Sequence, residues 1–198
     1  MSHKLRIAVL VSGSCTLLKA MPAGGLKPDL VIADRVKKCV GREVARDLGV
    51  PFRLVRRANF GLGNAFDRLA YTLEVIKVLR KEEIDVVAMA GFMTIFHKVM
   101  FQKENFHGRV LNIHPALLPA FKGPNVVEDA LKFRVKITGT TVHLATAKLD
   151  TGSIIAQKAV RIRSYDTVET LHERIKIEER KLYPPTILRF VRQLATAG

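Results

Sequence analysis

Apolar residues fall along this chain in short runs, separated by segments whose apolar positions recur at helical spacing. Residues 5–11 form a compact apolar run that ends in Ser-Gly-Ser, and residues 16–21 open a helix that Pro22 stops. Residues 30–33 read as a second strand and 41–48 as a helix, with Gly49-Val50-Pro51 breaking the chain before a third strand at 52–55. Residues 65–81 place Phe66, Leu69, Ala70, Leu73, Ile76 and Leu79 at helical intervals, and 86–90 is continuously apolar, as in a strand covered on both faces. A strand over 109–113 then leads into His114-Pro115, followed by a helix over 126–133 and strands over 140–145 and 153–160. The segment 167–191 is helical in pattern, with an interruption expected at Pro184-Pro185. Strands alternating with helices predict an α/β fold with a parallel sheet between helical layers. Ligands in such sheets sit beyond the carboxyl ends of the strands, which directs attention to the loops 12–16, 91–96 and 112 onward.

Length and composition add few constraints. The 198 residues suit one domain spanning the whole chain, 1–198, and 48% hydrophobic with 26% charged residues is an ordinary globular balance. Cys15 and Cys39 carry no pairing signature, the amino end has no apolar signal-peptide core, and the longest apolar run is broken by Gly91 and Thr94. A reducing, cytoplasmic setting without a membrane span is therefore expected. The net charge of +15 is the unusual property. Its carriers run from Lys4 to Arg192 in small clusters such as Lys37-Lys38 and Arg56-Arg57, without a basic tail or interleaved aromatics. That pattern fits a basic surface attracting small anionic substrates better than a nucleic-acid groove.

The candidate chemistry begins where residues 109–113 end. Alternate residues of a strand point the same way, so Asn112 and His114 emerge on one side and Ile113 on the other. An amide donor beside an imidazole is what a developing oxyanion requires. Taken singly, each residue has a plainer reading: N-x-H as a polar strand end, Asp150 before Thr-Gly as a turn aspartate, and His143 as a structural strand histidine. Phe92, Met93 and Ile95 read as core, and Lys176 with Glu179 as a solvated pair on one helix face. His114, His143 and Asp150 match no standard metal spacing, so no metal is expected.

The ordered set changes that balance. Asn112-Ile113-His114-Pro115 runs into Leu117-Leu118-Pro119-Ala120-Phe121-Lys122-Gly123. Thr138-Gly139-Thr140-Thr141-Val142-His143 follows, then Asp150-Thr151-Gly152-Ser153-Ile154-Ile155-Ala156-Gln157. With these motifs the chain resembles the formyltetrahydrofolate-dependent formyltransferases, from the Ser12-Gly13 loop to the segment ending Lys181-Leu182-Tyr183-Pro184. The resemblance implies a single-domain formyltransferase fold: a Rossmann-like, mostly parallel central sheet of about seven strands with helices on both faces. It also implies transfer of a formyl group from 10-formyltetrahydrofolate to the amine of glycinamide ribonucleotide, by a monomer or homodimer. In the matching roles Asn112 and His114 hold the oxyanion, Asp150 acts on His114 and on a proton-relaying water, and His143 supports them. The reduced folate is expected on Met93, Thr94, Ile95, Phe96, Asn112, Ala147 and Asp150, largely through backbone, with Leu118-Pro119 in the cis form.

For the ribonucleotide, the resemblance points to Ser14, Cys15, Thr16 and Leu17 at the phosphate and to Lys176 and Glu179 beyond it. Here the sequence departs from its relatives. Where they read S-G-x-G-S-N-L, this chain reads Ser12-Gly13-Ser14-Cys15-Thr16-Leu17-Leu18. A Cβ in place of the second glycine is expected to oppose the positive φ of a phosphate-wrapping turn. A related folate-dependent formyltransferase or deformylase with a changed acceptor is the alternative that this departure raises.

Overall fold

The computed structural model describes residues 4–197. Strands β1 (Ile7–Val11), β2 (Leu30–Ala33) and β3 (Phe52–Leu54) alternate with helices α1 (Thr16–Ala20) and α2 (Gly41–Asp47). Helix α3 (Arg68–Lys81) leads to β4 (Val86–Met89) and β5 (Val110–His114), then α4 (Val126–Lys132), β6 (Ile137–Leu144), β7 (Ile154–Arg161) and α5 (Val168–Ala197). The seven strands form one sheet in the order β3-β2-β1-β4-β5-β6-β7. Pairing is parallel from β3 to β5 and antiparallel for β5–β6 and β6–β7.

Every residue of β1 and β2 is buried, as a central parallel strand covered on both faces requires. On one face Val9 and Val11 pack with Leu17, Leu18, Val44 and Tyr183; on the other Ala8 and Leu10 pack with Tyr71, Val75 and Leu79. The α3 stripe differs from the expected one. Leu69 and Leu73 are exposed, and the buried face is Tyr71, Thr72, Val75, Ile76 and Leu79. The helix itself starts at Arg68, capped by Asp67, which accepts the Ala70 N–H at 2.9 Å, so Phe66 lies outside it, after a short 3-10 turn at Gly63–Ala65.

The expected break at Pro184-Pro185 does not occur, and α5 runs through both prolines. Each interior proline costs about 3 kcal/mol. Against this, Leu171, Ile175, Tyr183, Ile187 and Phe190 form one buried row, each such side chain contributing roughly 1.5–3 kcal/mol. Packing therefore outweighs the two lost donors. Gly24 makes room for the ring, since a Cβ there would stand 2.5 Å from Pro184 Cβ.

The turn to antiparallel pairing positions the chemistry. It sets Asn112 opposite His143 and His114 opposite Thr141. Gly139 sits against the next strand, where a Cβ would come 2.1 Å from the Lys158 carbonyl oxygen, so only glycine fits that rung. No helix among the described residues is long and apolar enough to cross a membrane.

Candidate active site

Asn112 and His114 share a face of β5, and the rung pairing brings His143 beside them. His143 Nδ1 lies 3.0 Å from the Leu144 carbonyl oxygen, an acceptor only, so Nδ1 carries the proton and Nε2 keeps a lone pair. That lone pair accepts from Asn112 Nδ2 at 3.2 Å. Burial pushes the His143 pKa below its ordinary value, opposed by the Leu144 carbonyl and Asp150, which agrees with the neutral ring. The amide of Asn112 is thereby oriented with its second N–H unused, and the side chain is only half-buried.

Asp150 completes the cluster. Its Oδ2 is 3.6 Å from His114 Nδ1 and its Oδ1 is 3.6 Å from His143 Nε2, all three groups being buried. His114 Nε2 donates to the Phe121 carbonyl at 2.8 Å, so Nδ1 is the nitrogen that faces the carboxylate. The Gly123 N–H donates to Asp150 Oδ2 at 3.0 Å. Asp150 itself takes φ +51°, a left-handed conformation that aspartate tolerates better than most residues. The returning loop admits nothing bulkier at Gly152, where a Cβ would meet the Leu144 carbonyl oxygen at 1.7 Å. Leu118-Pro119 is cis, as the motif implied.

Behind the cluster, Thr140 donates its hydroxyl to the His114 carbonyl at 3.1 Å. Glu179 packs beside Thr140 and is buried rather than solvated, so the plain reading of a surface pair fails for it. Burial pushes its pKa up to about 7, against the pull of Lys176, Arg180 and the Thr140 hydroxyl. The signal was present in the sequence: Glu179 occupies the same phase as Ile175 and Tyr183 in the buried row of α5. Lys176 instead reaches Glu173 at 2.7 Å on the surface.

The loops after β1 and β4 meet where Ser12 Oγ accepts the Met93 N–H at 2.9 Å. Met93 and Ile95 are not core, being 71% and 47% exposed, whereas Phe92 and Phe96 are buried. They stand on a turn opened by Gly91 at φ +71°, which faces them outward. Thr94 is buried and donates to Asp34 Oδ2 at 2.7 Å, so its side chain braces the loop from within. Ala147 is exposed on the loop that precedes Asp150. Asp34, which also holds Arg35 at 2.9 and 3.1 Å, and Tyr183, whose hydroxyl reaches the Met89 and Leu111 carbonyls at 3.0 and 3.1 Å, gave no sequence signal. Asp34 meets Thr94, and Tyr183 meets both carbonyls, across large sequence separations.

The expectation about Cys15 is overturned: it adopts φ +56° despite its Cβ. Such a conformation costs about 1–2 kcal/mol. It is offset by burial of the side chain and a thiol hydrogen bond to the Gly13 carbonyl at 3.0 Å. Leu17 turns its side chain into the core, so only its backbone faces the loop. Ser14 is exposed and Thr16 half-buried, leaving both hydroxyls accessible. Among the described residues no group of three or more His, Cys, Asp or Glu side chains is arranged to hold a metal.

The sequence matches the family described as formyl transferase over residues 5–187. The chain belongs to the formyl transferase family. It is 42% identical to a phosphoribosylglycinamide formyltransferase of Mycobacterium tuberculosis, with 100% of this chain and 88% of that protein covered. It is 38% identical to the human trifunctional purine biosynthetic protein adenosine-3, matching 98% of this chain but only 19% of that much longer protein. Among solved structures, glycinamide ribonucleotide transformylase 1 from Symbiobacterium toebii superposes with a TM-score of 0.86 at 38% identity, covering 98% of this chain and 90% of that one. This formyl transferase thus shares its mostly parallel α/β fold with its relatives.

Proposed function

We propose that this formyl transferase passes a formyl group from 10-formyltetrahydrofolate to the amine of glycinamide ribonucleotide. The observation that carries the reading is the convergence of Asn112, His114 and Asp150, three residues from two separate segments, with the hydrogen-bond capacity that acyl transfer needs. The folate is the second substrate and supplies the formyl carbon. As the acceptor amine adds to that carbon, the free N–H of Asn112 holds the negative charge that develops on the formyl oxygen, joined by His114 in its doubly protonated form, whose Nε2–H stays on the Phe121 carbonyl while its Nδ1–H lies beside the Asp150 carboxylate. Asp150, fixed by the Gly123 N–H, takes the proton leaving the amine through a water and returns it to the departing folate nitrogen. Formylated ribonucleotide and tetrahydrofolate result, with no net change in protons on the protein.

The exposed apolar side chains of Met93, Ile95 and Leu149, carried on the two loops beside the cluster, fit a flat ring system. Phosphate recognition falls to backbone N–H groups and hydroxyls of residues 14–17, with Glu179 and Lys176 toward the ribose and glycinamide portion. That Leu17 faces the core and Cys15 takes a left-handed conformation supports such a backbone arrangement despite the two departures. The test is direct. Purified protein is mixed with both substrates and formylated ribonucleotide is measured; absence of product at saturating concentrations of both sinks the proposal.

A further inference from the structure

The mechanism uses neither thiol, yet the two cysteines of the chain meet at the loop assigned to the phosphate. The position a Cβ would take on Gly41 lies 3.4 Å from Cys39 Sγ and 3.7 Å from Cys15 Sγ, so both sulfurs lie over one glycine Cα. The Gly13 carbonyl accepts from the Val40 N–H at 3.2 Å and from the Cys15 thiol at 3.0 Å, which docks the 34–40 segment onto the 12–16 loop. Both cysteines are free thiols. Their environments differ. Cys15 is buried, and burial together with the adjacent Cys39 thiol pushes it up to about 12. Cys39 is half-buried on a loop directly after Lys37 and Lys38 and near the Arg35 guanidinium. A partly exposed sulfur in an electropositive setting is the kind that reacts with peroxides.

We propose that Cys15 and Cys39 form a thiol-modification site, in which a hydroperoxide closes the dithiol into a reversible disulfide that disables the phosphate loop. Cys39, as thiolate, attacks the peroxide, breaking its O–O bond; the sulfur becomes a sulfenic acid and the departing oxygen leaves as water or alcohol after taking a proton. Cys15 sulfur then displaces hydroxide from the sulfenic acid, and its thiol proton joins that hydroxide as water. The two thiols lose two electrons and two protons, and a dithiol reductant reverses the step. The new bond withdraws the thiol that now donates to Gly13 and clamps residues 12–16 to residues 34–41.

This inference rests on residues 14–17 being the phosphate site, and the experiment keeps the two readings apart. The full chain is reduced, treated with hydrogen peroxide, and digested without reductant for mass spectrometry. Reduced, oxidised and dithiothreitol-restored samples are titrated calorimetrically with the ribonucleotide and with a folate analogue, and amide exchange is followed over residues 12–16. We expect a peptide linked through Cys15 and Cys39, ribonucleotide affinity lowered by about tenfold or more and restored by reduction, and unchanged folate binding. Cys39→Ser should be indifferent to peroxide. Over-oxidation of Cys39 without a linked peptide overturns the proposal, as does a linked peptide with unaltered ribonucleotide affinity. Reduced protein that binds the folate analogue but never the ribonucleotide refutes the acceptor assignment instead. The linked peptide, with or without slowed exchange at 12–16, then decides the dithiol.

Discussion

Replacing Asn112 by alanine separates chemistry from folding. In the folded protein one Nδ2–H is given to His143 Nε2 at 3.2 Å, and the other is free for the substrate oxygen. Truncation leaves the His143 lone pair without its donor, a loss of about 1 kcal/mol. For a chain of this length that lowers Tm by only about 2–4 °C. The catalytic loss is larger: one missing oxyanion donor costs roughly 2.7–4 kcal/mol, or about 10²–10³ in kcat. Against a folding stability of about 5–15 kcal/mol, the variant stays folded while turnover collapses. The assay is steady-state formyl transfer at saturating folate and ribonucleotide, with thermal unfolding in parallel. Asn112→Asp keeps the shape but removes the donor and adds an anion, and should be at least as inactive. A kcat for Asn112→Ala within about tenfold of the parent enzyme refutes the oxyanion role.

Three further outcomes follow from the same geometry. Burial holds Glu179 at a pKa of about 7, against an ordinary 4.5, so the folded protein keeps a proton that the unfolded chain has released across that interval. Its contribution therefore lowers stability as pH rises from about 4.5 to about 7, by about 3 kcal/mol, and is level above; denaturant midpoints should lose this slope in Glu179→Gln. Gly152→Ala forces a Cβ to within 1.7 Å of the Leu144 carbonyl oxygen, so activity should fall at least as steeply as in Asn112→Ala while the sheet persists by circular dichroism. Tyr183→Phe removes a buried hydroxyl from two carbonyls and should cost about 1–2 kcal/mol by chemical denaturation, with KM for both substrates unchanged.

Strand and helix positions were legible because the central strands are buried on both faces and announce themselves as unbroken apolar runs, as residues 30–33 do. The α5 continuity was not. A proline pair reads locally as a stop, and only the row from Leu171 to Phe190 and the gap left at Gly24 show why the helix persists. The residues of the candidate site stood out as an ordered motif set, while the contacts that orient them come from backbone atoms: the Phe121, Leu144 and Gly123 groups that meet His114, His143 and Asp150. Backbone donors and acceptors are identical at every position, so no residue type marks them. Glu179 lay between these cases, recognisable only once its phase within the apolar stripe is considered.

The rung that sets Asn112 against His143 decides how the candidate centre is held together. Because side chains alternate across a strand, a slip of one residue between β5 and β6 would turn His143 away and present an aliphatic neighbour in its place. The spacing of Asn112, His114 and His143 is therefore set by ladder hydrogen bonds rather than by side-chain torsions. The loop over residues 12–16 lies outside that ladder and is not tied to it. A side chain at Gly139, where β6 lies against β7, would disturb that alignment from a distance. Strand alignment thus holds the candidate centre in place as firmly as the side chains that compose it.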